Sequence, residues 1–531
     1  MPAWLYRHLQ AGYAHIGCQS LNYAYIRKSC VMYSGYIFLC ACTKRFCILN
    51  FTSMTRIILI CLGLAFILGS CQRTKNGTAA RAEKETYDLL LLNATVVDVA
   101  SGSLTPGQLI AISNDTIRMV DATANRDKYE AQQVIDASGK YVMPGLWDMH
   151  VHFRGGDSLI AENKNLLPLY LAYGVTTVRD AGGDIVPSVL SWREQIKNGN
   201  LQGPTIFTPG PKLDGAAPAW AGSIEVVNAG DIEAALDSLE KLQVDYVKMY
   251  DGSLTKEAFY GIIQAAEKRG MKTTGHMPLS ADIVQAIDYG LDGSEHMYYT
   301  LKATSPLADS LTKLNLGYGM MNQIVNSFDP QLAREVYAKM KANNVYITPT
   351  LHIGKVLSEL LDTDHSRDTL LPYMGSGIQQ TYQRRIEGAK RAGRSGSDAR
   401  QKMAQLNMDM IVPMYEAGVN IVAGSDAGPS NSYVYPGESL HGELQSLVKA
   451  GLSPQQALVT SVINGPKFFG LENSYGSIEK GKVADLLLLN ANPLQNIANT
   501  SNIAVVVKGG RVHDQQAINR MLQAVKANNR K

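Results

Sequence analysis

The sequence predicts an α/β fold: a (β/α)8 TIM barrel with a small β-sandwich domain assembled from both chain ends. Two observations predict it. Through the middle of the chain, eight short apolar runs alternate with amphipathic stretches, the pattern of parallel strands covered by helices. In addition, the heptapeptide Asp-Leu-Leu-Leu-Leu-Asn-Ala occurs at both 88–94 and 485–491, so both ends offer a similar buried strand to one domain. At 531 residues, 45% hydrophobic and 18% charged, the chain has room for one large and one small domain. That composition excludes a disulfide miniprotein, a collagen-like repeat and a largely disordered chain.

The amino-terminal segment stands apart. All seven cysteines (18, 30, 40, 42, 47, 61 and 71) lie in it, and no Asp or Glu precedes Glu83. Of the 50 Lys and Arg, six fall before residue 71, leaving 44 against 47 acids. The body therefore carries net charge −3 although the whole chain is +3, and no nucleic-acid partner is expected. From Met54 the chain reads Met-Thr-Arg, an apolar run Ile57–Leu68, then Leu68-Gly-Ser-Cys71. A positive head, an apolar run and small residues before a cleavage point describe a secretory signal. The run is too short for a membrane-spanning helix, which needs about 20 residues. Its ending resembles a bacterial lipobox. The expectation is a signal at 54–70, lipidation of Cys71, a polar tether at 71–86, and attachment to a membrane of the bacterial cell envelope, facing periplasm or exterior. Residues 1–53 have no steady period and are expected to be an upstream extension or leader, with Met54 as the start.

In the body, residues 87–143 supply the first part of the sandwich, with strands at Asp88–Ala94, Thr95–Val99 and Val134–Asp136. Residues 144–475 form the barrel. Its eight expected strands are Leu146–Val151, Thr176–Val178, Thr205–Phe207, Tyr246–Met249, Met271–Thr274, Gly293–Glu295, Tyr346–Thr348 and Asn420–Ala423. Amphipathic stretches such as Ile232–Leu242, Lys256–Lys268 and Ala281–Tyr289 separate them, and Leu351–Val419 has room for an inserted helical hairpin as well as the crossover helix. Residues 476–513, with a strand at Ile503–Lys508, return to the sandwich, and 514–531 form a helical tail.

Reactive groups of such a barrel sit at the carboxyl ends of its strands. The first strand ends in His150-Val-His152, whose alternation points both imidazoles inward. The fourth closes with Lys248, the fifth with His276, the sixth with His296 and the eighth with Asp426, in Ala423-Gly-Ser-Asp-Ala-Gly428. Four imidazoles and a carboxylate at one barrel mouth form a borderline-metal site suited to Zn²⁺. Each group alone has an ordinary explanation, a core histidine or an Asx turn; their succession at strand ends does not.

These stretches resemble the amidohydrolase superfamily, in its imidazolonepropionase-like and zinc prolidase-like branch. The resemblance is carried by Met143-Pro-Gly-Leu-Trp-Asp-Met-His-Val-His152, Gly174-Val-Thr-Thr-Val-Arg-Asp180, Val244-Asp-Tyr-Val-Lys248, Thr274-Gly-His-Met-Pro278, Ser294-Glu-His296, Gly424-Ser-Asp-Ala427 and Gly476-Ser-Ile-Glu-Lys-Gly-Lys-Val-Ala-Asp485. It implies that His150, His152 and Asp426 hold one metal and His276 and His296 a second. Lys248, carrying a CO2-derived carbamate, would bridge the two; without the carbamate, one metal is expected. The reading favours two. The implied chemistry is attack of metal-activated hydroxide on a carbonyl, with Asp426 as general base and then acid. The substrate would be an amide, cyclic amide or dipeptide. Alternatives are a mononuclear cyclic-amide hydrolase or deaminase, and a lipid-anchored binding protein without turnover.

Further candidates stand around this set. Arg179 is expected either to bind a substrate carboxylate or to brace the metal shell. Tyr250 and Tyr298 are expected to line the pocket, and His352 either to reach the substrate or to lie in a surface loop. His365 and His513 are expected at the surface, and Glu443 in the first turn of a helix where the dipole favours an acid. The loop Pro209-Gly-Pro-Lys-Leu-Asp-Gly-Ala-Ala-Pro-Ala-Trp220 departs from the branch's glycine- and histidine-containing loop, so Lys212 or Trp220 is expected to replace a lost contact. A homo-oligomer is compatible with the sequence.

Overall fold

The computed structural model describes residues 84–392 and 395–530. The extension, signal, Cys71 and nearly all of the tether lie outside the described residues. Within those residues no helix is long and apolar enough to cross a membrane.

The strands, in chain order, are β1 (Glu85–Asp98), β2 (Ser103–Ser113), β3 (Thr116–Ala122), β4 (Tyr129–Asp136), β5 (Tyr141–Pro144), β6 (Leu146–Val151), β7 (Val175–Asp180), β8 (Thr205–Phe207), β9 (Leu213–Asp214), β10 (Ile224–Glu225), β11 (Val247–Met249), β12 (Thr273–Gly275), β13 (Gly293–Glu295), β14 (Tyr346–Thr348), β15 (Asn420–Ile421), β16 (Leu486–Leu489), β17 (Ile503–Lys508) and β18 (Arg511–Asp514). The sandwich sheet runs β18-β17-β16-β5-β1-β2-β3, with β4 parallel to β1. The two copies of the leucine heptapeptide both enter this sheet: Leu486–Leu489 pair antiparallel with β5, and Leu89–Leu91 lie between β2 and β4, while β1 meets β5 just beyond its copy, at Thr95 and Val96.

Alternation explains why four leucines run together. Leu486 and Leu488 join Leu89, Leu91, Ile110, Ile112 and Val507 in the sandwich core. Leu487 and Leu489 face the opposite way, into the barrel core with Ile503 and Val506. A strand buried on both faces has no place for a polar residue.

The barrel strands are β6, β7, β8 extended by β9, β11, β12, β13, β14 and β15. Pairing is parallel along β6-β7-β8, β9-β11-β12 and β13-β14-β15. Strand eight closes on strand one through Met149 N–H to Ala423 O (2.9 Å), Asp426 N–H to His150 O (2.7 Å) and His152 N–H to Ala427 O (2.8 Å). The third strand is interrupted by Pro209-Gly-Pro211, where prolines supply no ladder N–H; it resumes as β9, pairing with β11 at Met249. That resumption carries Lys212 to the mouth of the barrel.

Helices between strands begin at side-chain caps where the sequence supplies them. Asn228 and Asp231 form a capping box for Ala229–Lys241, Thr255 caps Lys256–Lys268, and Ser453 with Gln456 caps Pro454–Val462. The segment before strand eight holds four α-helices, Leu351–Ser358, Ser376–Ala392, Ser395–Asp409 and Ile411–Glu416, one more than a hairpin and a crossover helix. The tail helix Gln515–Asn528 docks on helix Ile160–Ala172: Ile518, Met521 and Val525 are buried, and Asn165 Nδ2 donates to Val525 O at 3.0 Å.

Three expectations are corrected, two of surface histidines and one of a first-turn acid. His365 stacks on Tyr433 with ring centroids 3.7 Å apart, and His513 is 9% exposed within β18. Glu443 is fully buried and caps a different helix, accepting from His352 N at 2.7 Å at the start of Leu351–Ser358.

Candidate metal centre

β6 places Asp148, His150 and His152 on one face. His150 Nε2 and His152 Nε2 lie 3.3 Å apart, and Asp426 Oδ1 stands 3.5 and 3.1 Å from them. The three side chains are buried, with ligand atoms within 4.8 Å of one another. His296 Nε2 is 3.9 Å from Asp426 Oδ2; its ring centroid is 5.1 Å from that of His150 and 4.9 Å from that of His276. Lys248, 1% exposed, brings Nζ to 3.7 Å from Glu295 Oε1 and has no hydrogen-bond partner among the described residues.

The electrostatics favour metal donors. Burial pushes His150 and His152 down, and His296 to about 3, leaving neutral imidazoles with free lone pairs. Burial works against charge on Asp426, but the surrounding imidazoles outweigh it and hold the carboxyl well below its usual range. Burial lowers Lys248 to about 8 against the pull of Glu295. Neutral histidines, an anionic carboxylate and a buried amine that makes no hydrogen bond among the described residues fit a divalent ion of the zinc type.

A supporting shell orients these groups. Glu295 accepts from Arg179 Nη2 (2.8 and 2.9 Å) and Thr274 Oγ1 (2.8 Å), and lies 2.7 Å from His150 Nδ1. With Nδ1 so occupied, Nε2 of His150 is turned to the cluster. Burial opposes charge on Glu295, and Arg179, Lys248 and His150 outweigh it, keeping the carboxylate ionised. Asp148 accepts from Ser425 N (2.9 Å) and Ser425 Oγ (2.5 Å), fastening the Asp426 turn to β6. Asn431 Nδ2 donates to Asp426 Oδ1 at 2.7 Å, and Asp251 Oδ1 is 3.2 Å from His276 Nδ1. His296 and Asp426 have φ of +59° and +58°, a left-handed backbone that non-glycine residues adopt at a cost and that clusters at functional sites.

Apart from Arg179, this shell went unread in the sequence. Its signal was present: Asp148 and Glu295 are acids inside apolar strand runs, and acids are almost never fully buried unless paired.

The other candidates divide. Tyr250 lies 4.4 Å from the His276 ring and Tyr298 6.0 Å from that of His296, centroid to centroid, so both line the cluster. Arg179 is 1% exposed, with Nε on Met149 O (2.6 Å), Nη2 on Glu295 and Thr348 Oγ1, and Tyr246 and Phe468 rings against its guanidinium. It braces the shell and has no room for a substrate carboxylate. His352 turns to Gly442 of helix Glu438–Lys449, and among the described residues no ring or hydrogen-bond contact joins it to the four imidazoles. Lys212 and Trp220 do reach the site: Lys212 Nζ lies 5.0 Å from the Trp220 ring centroid and 5.2 Å from that of Tyr250. Burial, Arg154 and Lys248 lower Lys212 to about 7. A cleft of about 1040 Å³ touches Thr205, Asp245 and Asp485, at the opposite, amino-terminal ends of the barrel strands and away from this chemistry.

The amidohydrolase family model matches residues 141–513, most of the chain and every group of the cluster. The chain belongs to the amidohydrolase family. Among curated relatives this amidohydrolase is 22% identical over 420 residues to the adenine deaminase of Ruegeria pomeroyi, covering 77% of this chain and 55% of the relative. It is also 22% identical over 458 residues to the 5-methylthioadenosine/S-adenosylhomocysteine deaminase of Acetivibrio thermocellus, covering 81% and 92%. The chain thus spans little more than half the length of the adenine deaminases it matches over most of its own length. Among solved structures, a Xaa-Pro dipeptidase with methionine bound in its active site superposes with TM-score 0.58 at 21% identity, over 80% of this chain and 99% of that one. That likeness concerns the fold.

Proposed function

We propose that this amidohydrolase is a zinc-dependent hydrolase of carbon–nitrogen bonds acting on an amide or dipeptide-type substrate. The observation that carries the reading is the convergence of His150, His152 and His296 around the ionised carboxylate of Asp426, with the His276 ring beside that of His296. His150, His152 and Asp426 would hold one ion, and His276 and His296 a second. Lys248 supports the pair: its amine is buried without a hydrogen bond, and reaction with CO2 converts a cation that repels metals into an anionic oxygen donor. Lowering its pKa raises the fraction of neutral amine that reacts. A bound divalent ion supplies Lewis acidity, acidifying water and polarising a carbonyl.

The chain's own groups manage protons and position. Asp426 Oδ2 takes a proton from the attacking water as the C–O bond forms. It returns that proton to the nitrogen as the C–N bond breaks, so that an amine leaves and the carboxylate is restored. Asn431 keeps Asp426 in its left-handed turn throughout. Tyr250 and Tyr298, whose hydroxyls burial raises above the ordinary value, remain protonated and act as donors and walls. The signal-like segment ending in Cys71 supports placing the enzyme on the bacterial envelope through a lipid anchor. A deaminase reading is favoured by the adenine deaminase names among the relatives; it uses the same proton traffic at a ring carbon and releases ammonia.

The experiment is hydrolysis by the zinc-loaded chain across dipeptides, N-acyl amino acids, cyclic amides and adenine, beside Asp426→Asn. Cleavage of an amide by the native chain, reduced on the order of 10³-fold or more in the variant, is expected. Turnover of adenine alone selects the deaminase, and an undiminished variant overturns the role of Asp426.

A further inference from the structure

We infer that Lys212 and Arg154 form an anion subsite beside the histidine cluster that takes the carboxylate of a carboxylate-bearing amide. The inference rests on the hydrolase reading above and names its substrate class.

Lys212 is the centre of the argument. It is 1% exposed, and its Nζ has neither a hydrogen-bond partner nor a carboxylate within 4 Å among the described residues. The fold admits it deliberately: Gly182, at φ +87°, leaves open the space where a Cβ would stand 2.7 Å from Lys212 Cγ. Arg154 lies against the same aromatic ring, its guanidinium carbon 4.3 Å from the Trp220 centroid. Arg154 Nε donates to Pro429 O and Nη2 to Asn431 Oδ1, while Nη1 makes no hydrogen bond among the described residues. Arg385 adds a third cation, with Nη2 3.4 Å from the same Asn431 oxygen.

Among the described residues, no acid forms an ion pair with Lys212, Arg154 or Arg385. Asp180 accepts from Thr208 Oγ1 and Gly182 N, and Asp184 from Gly155 N. A buried ammonium without a partner is unfavourable, and an incoming carboxylate gives it a charge-assisted hydrogen bond. The position fits a substrate. Tyr250, which shares the Trp220 and Lys212 contacts, lies against His276, so an anion held by Lys212 sits next to the reacting carbonyl. A neutral nucleobase offers this subsite ring-nitrogen acceptors but no negative charge to set against its cations.

The test compares acids with their carboxamides on the zinc-loaded full chain, by calorimetry and, where turnover occurs, by kcat/KM. N-acetyl-L-methionine against N-acetyl-L-methioninamide puts the carboxylate on the amine side. N-methylsuccinamic acid against N,N'-dimethylsuccinamide puts it on the acyl side. The expected result is that at least one acid is favoured about tenfold or more over its amide. Lys212→Met abolishes the difference and Lys212→Arg retains part of it. Equal binding of acid and amide by the native chain, no binding by either acid, or discrimination surviving in Lys212→Met overturns the subsite. The native comparison decides the matter even if a variant fails to fold. Acid preference without hydrolysis of any C–N substrate sinks the hydrolase reading and leaves the subsite; hydrolysis without acid preference does the reverse.

Discussion

Glu443 illustrates how far a single residue departs from its local sequence. Its place near the start of helix Glu438–Lys449 suggests an exposed acid, yet it is enclosed and burial pushes its carboxyl up to about 8 from an ordinary 4.5. One oxygen receives His352 N–H; the other has no partner among the described residues. Between pH 4.5 and 8 the native state therefore keeps a proton that the unfolded chain releases. Unfolding free energy from this group falls as pH rises through that window. Glu443→Gln mimics the protonated form. Melting curves of native chain and variant are expected to agree near pH 5 and to diverge toward pH 8, the variant becoming more stable by on the order of a few kcal/mol. Parallel curves across the window would refute the assignment. Glu295 makes the same point from the other side: equally buried, it stays ionised because Arg179, Lys248 and His150 surround it. Neighbours distant in sequence decide both cases, which is why neither was legible from spacing.

At the scale of elements, the seam between β6 and strand eight sets the cluster's geometry. It works because Gly424 has no side chain: a Cβ there would stand 2.6 Å from Thr348 Cγ2 and 2.7 Å from His150 Cβ. Gly424→Ala must part the two strands and shift Asp426 from His150 and His152. A loss of about 1–3 kcal/mol is expected with a lowered zinc content, read by thermal melting and elemental analysis of one preparation. An alanine variant with native melting and native zinc would show that the seam tolerates movement. Periodicity found the eight barrel strands because each is a short apolar run that a helical stretch follows. It did not find β9 and β10, two residues each, nor the fourth of the helices before β15, because loop-borne elements are fixed by contacts with the barrel mouth. The break at Pro209-Gly-Pro211 was visible as unusual. Its consequence, Lys212 carried to the side of Tyr250 and Trp220, required the fold.

The whole molecule joins two chain ends around one barrel. The repeated leucine heptapeptide was readable because a strand buried on both faces must be apolar throughout, and the structure places both copies within the sandwich sheet, one beside β5 and one between β2 and β4. His150, His152, Lys248, His276, His296 and Asp426 were readable because strand ends of a parallel barrel share one mouth. Asp148, Asp251, Asn431 and Arg154 were not, since only packing reveals which polar groups turn inward. Those groups give the mouth its character: neutral imidazoles, an ionised Asp426, and Lys248 buried without a hydrogen bond. On the proposed reading, this mouth holds two ions with Lys248 between them. Zinc per chain, measured together with native and acid-treated mass, tests it most directly. Two zinc ions and an acid-labile adduct of about 44 Da, the mass of CO2, are predicted; a single ion with no adduct would contradict it.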